Sequence, residues 1–154
     1  MKVAVGNDHA GLTLKAAIMS ELQARDLEVR DCGTDDETSV DYPDFAARVA
    51  GLVSSGEVDR GILACGTGIG MSMAANKFAG VRAAVVHDAF TTEMSRRHND
   101  ANVLCLGGRV LSPEEAAALV RLWLETPFEG GRHQRRVGKV DAAGSGTVAG
   151  EGRP

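Results

Sequence analysis

Cys65 is followed at once by Gly66-Thr67-Gly68-Ile69-Gly70, and two further polar clusters lie far from it in the chain. One is Gly6-Asn7-Asp8-His9-Ala10-Gly11; the other is Arg96-Arg97-His98-Asn99-Asp100. A thiol, two histidines, a carboxylate and a run of glycines are the parts needed for proton transfer beside an anion-stabilising loop. Backbone N–H groups at the start of a helix favour negative charge on phosphate, carboxylate or an enediolate. A thiol in such a place carries a raised thiolate fraction.

Three familiar uses of a glycine loop can be weighed against the spacing. A dinucleotide fingerprint, G-x-G-x-x-G, needs a small residue where Met71 stands, and it is expected after the first strand of its unit. A Walker A loop needs Gly-Lys-Ser/Thr, which does not follow. A thiol phosphatase loop wants arginine six positions after the cysteine, which is again Met71. A backbone anion cradle without a side-chain cation remains. A nucleotide-binding module that uses the loop for pyrophosphate stays open as the non-enzyme alternative.

Each candidate also has a plainer reading. A cysteine closing an apolar strand is often core packing, and Cys32 and Cys105 are read that way. Cys65 differs in running directly into the glycines, so base or nucleophile is preferred for it. Asp8 alone could cap a helix, His98 could cap a helix C-terminus, and Asn99 could end that helix in a left-handed turn. Arg132 and Arg136 are four apart, so a helix presents them on one face. With Arg109 they could clasp a dianionic phosphate, or they could form a solvated basic face.

The elements that must position these residues are short apolar runs alternating with helical patterns. The runs are 2–5, 27–31, 61–65, 81–86 and 102–106. Between them Leu14, Ile18 and Leu22 share a helix face, as do Phe45, Val49, Leu52 and Val53, and Phe90 with Met94. Ser112, Pro113 and Glu115 form a capping box for the fifth helix. The pattern predicts a three-layer, doubly wound α/β domain with five parallel strands in the order 2-1-3-4-5, plus a C-terminal helix. That order would bring the ends of strands 1 and 3, hence Asp8, His9 and Cys65, to the crevice where strand order reverses.

Residues 1–140 are read as one domain and 141–154 as a Gly-rich disordered tail. A net charge of -4 disfavours nucleic acid and anionic membranes as partners. Three cysteines without paired spacing speak for a reducing compartment, and the start lacks a long apolar leader core, so the expected location is the cytoplasm.

Together these pieces resemble the ribose-5-phosphate isomerase B family, with its allose- and galactose-6-phosphate isomerase relatives. The resemblance covers Met1 to about Val140 and rests on GNDHAG, DYPDFA, ILACGTGIGMSMAANKFAGVRA, RRHNDANVLCLGGRV and FEGGRHQRRV. It implies a Rossmann-like homodimer or dimer of dimers with shared active sites, no metal and no organic cofactor. The implied substrate is a sugar phosphate: ribose 5-phosphate and ribulose 5-phosphate in the non-oxidative pentose phosphate pathway. Allose 6-phosphate, galactose 6-phosphate or a tetrulose phosphate are the alternatives.

By the same resemblance Cys65 is the base of a cis-enediolate mechanism, and Gly66, Gly68, Ile69 and Gly70 belong to the anion hole. Thr67 helps move hydroxyl protons, and His98 opens the sugar ring with Asp8 assisting. His9, Arg109, Arg132 and Arg136 hold phosphate, some of them donated by the partner subunit, and Asn99 contacts a substrate hydroxyl. His87 has no assigned role.

Overall fold

The apolar runs become strands, and the stretches between them coil back over the sheet. A computed structural model describes residues 1–144. It contains β1 (Lys2–Asn7), α1 (Leu12–Gln23), β2 (Glu28–Asp31), α2 (Tyr42–Ser54), β3 (Arg60–Cys65), α3 (Ile69–Ala75), β4 (Ala83–Val85), α4 (Ala89–Arg97), β5 (Val103–Gly107), α5 (Pro113–Glu125) and α6 (Arg132–Gly144). Helix α6 runs through the first four residues of the segment read as a tail; 145–154 lie outside the described residues. Among the described residues no helix is long and apolar enough to cross a membrane.

The sheet is parallel throughout, and helices cover both faces. Leu14, Ile18 and Leu22 of α1 join Leu119, Val120 and Trp123 of α5 on one face. Phe45, Val49 and Val53 of α2 join Met71 and Ala75 of α3 on the other. The capping box forms as expected, with Ser112 and Glu115 exchanging bonds at the start of α5.

Two expectations need correction. The strand order is 2-1-3-5-4, not 2-1-3-4-5. The five residues of β5 are all buried, whereas β4 is three residues of intermediate exposure. The long apolar strand gains most from two neighbours, and the short one is the cheaper edge. Cys65 therefore pairs with Gly107 of β5, which brings Arg109 beside the glycine loop. The second correction concerns α4, whose buried face carries Thr92, Ser95 and Arg96 while Phe90 is 70% exposed. Arg96 is satisfied there by Asp100 at 2.9 Å and the Ala101 carbonyl at 2.6 Å.

The turns leaving β1, β3 and β5 touch backbone to backbone. A Cβ on Gly11 would lie 2.1 Å from the Ala64 carbonyl oxygen, and one on Gly108 would lie 2.3 Å from that of Ala10. Gly11→Ala should therefore lower stability by roughly 1–3 kcal/mol through overpacking. Gly51→Ala, inside α2 with open space around its Cβ, should raise it by about 0.5–1 kcal/mol. Urea unfolding of the two variants checks both signs.

Candidate active site

Cys65 closes β3 and is 5% exposed, with its sulfur accepting the Gly68 N–H at 3.2 Å. That donor points back because Gly68 caps α3 in the left-handed region, at φ 79°. A side chain there would be strained and would press on the Cys105 backbone at 3.2 Å. Burial pushes the Cys105 thiol far up, with Cys65 nearby adding to it, and burial also raises Cys32.

The β3–β5 ladder continues past the strands: Gly108 N–H donates to the Cys65 carbonyl at 2.7 Å and Arg109 N–H to that of Gly66 at 3.0 Å. The Arg109 guanidinium then lies across Gly66, where an added Cβ would meet it at 3.4 Å. Thr67 is exposed at the mouth of the loop, with its hydroxyl 3.4 Å from the Ile69 N–H, and Ile69 itself faces outward.

From β1, Asp8 turns its Oδ1 onto the Ala10 and Gly11 N–H groups, both at 2.9 Å. It closes the turn ahead of α1 rather than capping the helix, whose N-cap is Gly11. His9 accepts the Val40 N–H on Nδ1 at 3.2 Å, so the neutral ring carries its hydrogen on Nε2. Val40 belongs to the loop between β2 and α2, and that loop is tied to the domain by Lys15. The Lys15 Nζ lies 2.8 Å from Asp31 and 2.6 Å from Asp35. Burial lowers the Lys15 pKa, but the bonds to Asp31 and Asp35 outweigh it and the net shift is upward.

Asp8, His9, Cys65, Gly66, Thr67, Gly70 and Arg109 thus line one cleft of about 220 Å³. Tyr42 lines it too, its ring so close to Gly70 that a Cβ there would meet it at 2.7 Å. The residue types of the cleft pointed to chemistry, but Tyr42 sits in DYPDFA with no local pattern marking it as a wall.

His98, Asn99 and Arg136 are elsewhere. His98 caps the C-terminus of α4, before the amino end of β5, whereas Cys65 pairs with Gly107 at that strand's carboxyl end. The length of β5 separates them, roughly 15 Å of extended chain. His98, Asn99 and Arg136 line a second groove of about 660 Å³ beside β4 and α6. Arg132, exposed at the start of α6, places its Nε 3.3 Å from His133 Nε2. Glu129 and His133, neither singled out in the sequence, complete this cluster.

His98, Glu129 and His133 hold their ligating atoms within 4.8 Å of one another. The two imidazoles, however, are stacked 4.2 Å apart and 4° from parallel. Parallel rings cannot both aim in-plane lone pairs at one ion, so this arrangement does not fit a metal. His87 is exposed, and Asp88 caps α4 by accepting the Thr91 N–H at 2.7 Å.

Residues 3–140 match the Ribose/Galactose Isomerase family. The chain is 50% identical over 141 residues to ribose-5-phosphate isomerase B of Escherichia coli, covering 92% of this chain and 95% of that one. Its fold superposes on the Clostridium thermocellum ribose-5-phosphate isomerase B with a TM-score of 0.92 at 51% identity, covering 95% and 99% of the two chains. A Mycoplasma genitalium ribose-5-phosphate isomerase B solved with bound ribulose-5-phosphate gives 0.90 at 43% identity, over 94% and 96%. The chain belongs to the ribose/galactose isomerase family of sugar-phosphate isomerases.

Lys15→Met should lower stability at neutral pH by about 1 kcal/mol, since the two carboxylates it leaves are partly or largely exposed. The folded Lys15 pKa lies above the ordinary lysine value of 10.5, so its contribution is complete below that value and is lost as pH rises through the folded one. Urea unfolding of the variant and the native protein should therefore differ at pH 7 and converge in strong alkali.

Proposed function

We propose that this chain interconverts ribose 5-phosphate and ribulose 5-phosphate through a cis-enediolate, with Cys65 as the base. The observation that carries the proposal is the Cys65 sulfur held by the Gly68 N–H in one cleft with Asp8, His9 and Arg109. The Escherichia coli relative and the ribulose-5-phosphate held by the Mycoplasma genitalium structure support the substrate.

In the open-chain aldose, the thiolate takes the proton from C2. The C2–H electrons form the C1=C2 bond, and negative charge moves to O1. Backbone N–H groups of the 66–70 loop not already held by Cys65 and Thr67 stabilise that charge; loss of one such donor in other enzymes costs about 2.7–4 kcal/mol. The O2 proton passes to O1, aided by Thr67, and the thiol returns its proton to C1 as C2 becomes the carbonyl. The sugar gains and loses no electrons overall, so the isomerisation needs no redox partner. His9, through Nε2–H, and Arg109 anchor the phosphate at the remote end.

Ribose 5-phosphate arrives mainly as a closed ring, and opening it takes an acid and a base before Cys65 can act. His98 has the chemistry, with Asp8 assisting, yet it lies at the other end of its own sheet. The division of candidates between two sites is explained by a homodimer, or a dimer of dimers, in which His98, Asn99, Arg132 and Arg136 of one subunit complete the Cys65 cleft of its partner. The reaction belongs to the non-oxidative pentose phosphate pathway, and the three unpaired cysteines suit a reducing cytoplasm.

Cys65→Ala should abolish both turnover and deuterium loss from C2 while leaving circular dichroism and phosphate affinity unchanged; retained exchange would place the base elsewhere. Turnover that strongly prefers allose 6-phosphate would overturn the pentose assignment. A Cys65→Ala chain mixed with a His98→Asn chain should regain roughly a quarter of native activity. Half of the dimers are then hybrids, each with one intact shared site; no recovery on subunit exchange would overturn the shared site.

A further inference from the structure

His133 is 5% exposed and has no part in the chemistry above, yet it touches two residues that do. Its ring lies flat on that of His98, 4.2 Å between centroids and 4° from parallel. Its Nε2 accepts the Arg132 Nε–H at 3.3 Å. The neutral ring therefore carries its hydrogen on Nδ1, and the protonated ring would lose the arginine.

The surroundings keep it neutral. Burial acts first, and His98 at the end of α4 with Arg132 and Arg136 of α6 oppose a further positive charge. Glu129, whose Oε2 is 3.8 Å from both His98 and His133 Nε2, works in the other direction. Its other oxygen is held by Arg97 of α4, and its N–H donates to the Arg97 carbonyl at 3.1 Å. A neutral flat surface beside His98 lets that ring gain a proton without a second imidazolium against it. An apolar side chain would fill the same space, but it would leave Arg132 without its acceptor.

We infer that His133 is a positioning residue of the isomerase site: its ring orients His98 for ring opening, and its Nε2 orients Arg132 for the phosphate. The inference rests on the roles proposed for His98 and Arg132. It predicts that one side chain serves two separable steps. His133→Phe keeps a flat ring and removes the acceptor; His133→Gln keeps an acceptor and removes the ring.

Three readouts separate the roles. Turnover of ribose 5-phosphate needs ring opening. Turnover of erythrose 4-phosphate does not, because its O4 is esterified and no ring can close. Wash-in of solvent deuterium at C1 of ribulose 5-phosphate reports the Cys65 step on an open-chain ketose. His133→Phe should raise KM for ribose 5-phosphate about tenfold with kcat held within about twofold. His133→Gln should lower kcat on ribose 5-phosphate about tenfold while its erythrose 4-phosphate turnover stays within about twofold.

Saturating deuterium wash-in should match the native enzyme in both variants. Unchanged kinetics in both, or losses of equal depth on all three readouts, would overturn the positioning role and leave the isomerase reading intact. A native enzyme that interconverts none of these sugar phosphates would overturn the isomerase reading and this inference with it.

Discussion

Three turns of this chain meet with no side chain between them, and the cleft depends on that approach. Gly11 rests on the Ala64 carbonyl, Gly108 on that of Ala10, and Gly107 on the backbone of Thr67. The first two contacts are shorter than any residue with a Cβ permits without displacement, and the third is tight. Because the β1, β3 and β5 ends are held this closely, the ladder bonds Gly108 to Cys65 and Arg109 to Gly66 can continue beyond the sheet. The glycine loop after Cys65 is then a continuation of the core rather than a mobile segment laid over it. Its left-handed residue, Gly68, aims an N–H at sulfur.

That architecture was largely legible in the sequence, for physical reasons particular to its residues. Apolar runs such as 61–65 and 102–106 are too short for helices, and Ser112-Pro113-x-Glu115 is a local signal that forms its cap wherever the helix goes. Cys65, Asp8 and His9 could be placed together because strand ends in a doubly wound sheet converge. The order of the last two strands was not legible. Ala83–Val85 and Val103–Gly107 differ in how deeply they are buried, and burial depends on which strand the sheet already holds beside β3. Phe90 misled for a related reason: helical spacing with Met94 mimics a core face, whereas α4 buries the satisfied Arg96 instead.

The site itself was legible in its residue types and only half legible in its geometry. Residues 96–100 read as chemistry, but parallel pairing places a helix C-terminus at the opposite end of the strands from a strand C-terminus. Nothing local in RRHND encodes that separation. His133 and Glu129 escaped notice because their significance lies in a ring stack and a shared oxygen, both made between elements distant in the chain. The loop between β2 and α2 is similar. Val40 contributes only a backbone N–H, and Lys15, which restrains that loop, reads in the sequence as an ordinary polar position on α1.

The one tryptophan lies on the side of the molecule away from the glycine loop. Trp123 is fully buried on the α1/α5 face, with the Arg60 guanidinium 5.0 Å and that of Arg96 5.8 Å from its ring centre. Burial, with Arg96 alongside, pushes Arg60 down to about 10. An indole enclosed in this way by hydrocarbon and two cations is a built-in optical probe. Its surroundings are set by the packing of the sheet and of α1 and α5, not by the glycine loop. A fluorescence-monitored titration with sugar phosphate and a fluorescence-monitored melt would therefore read different properties of the same molecule.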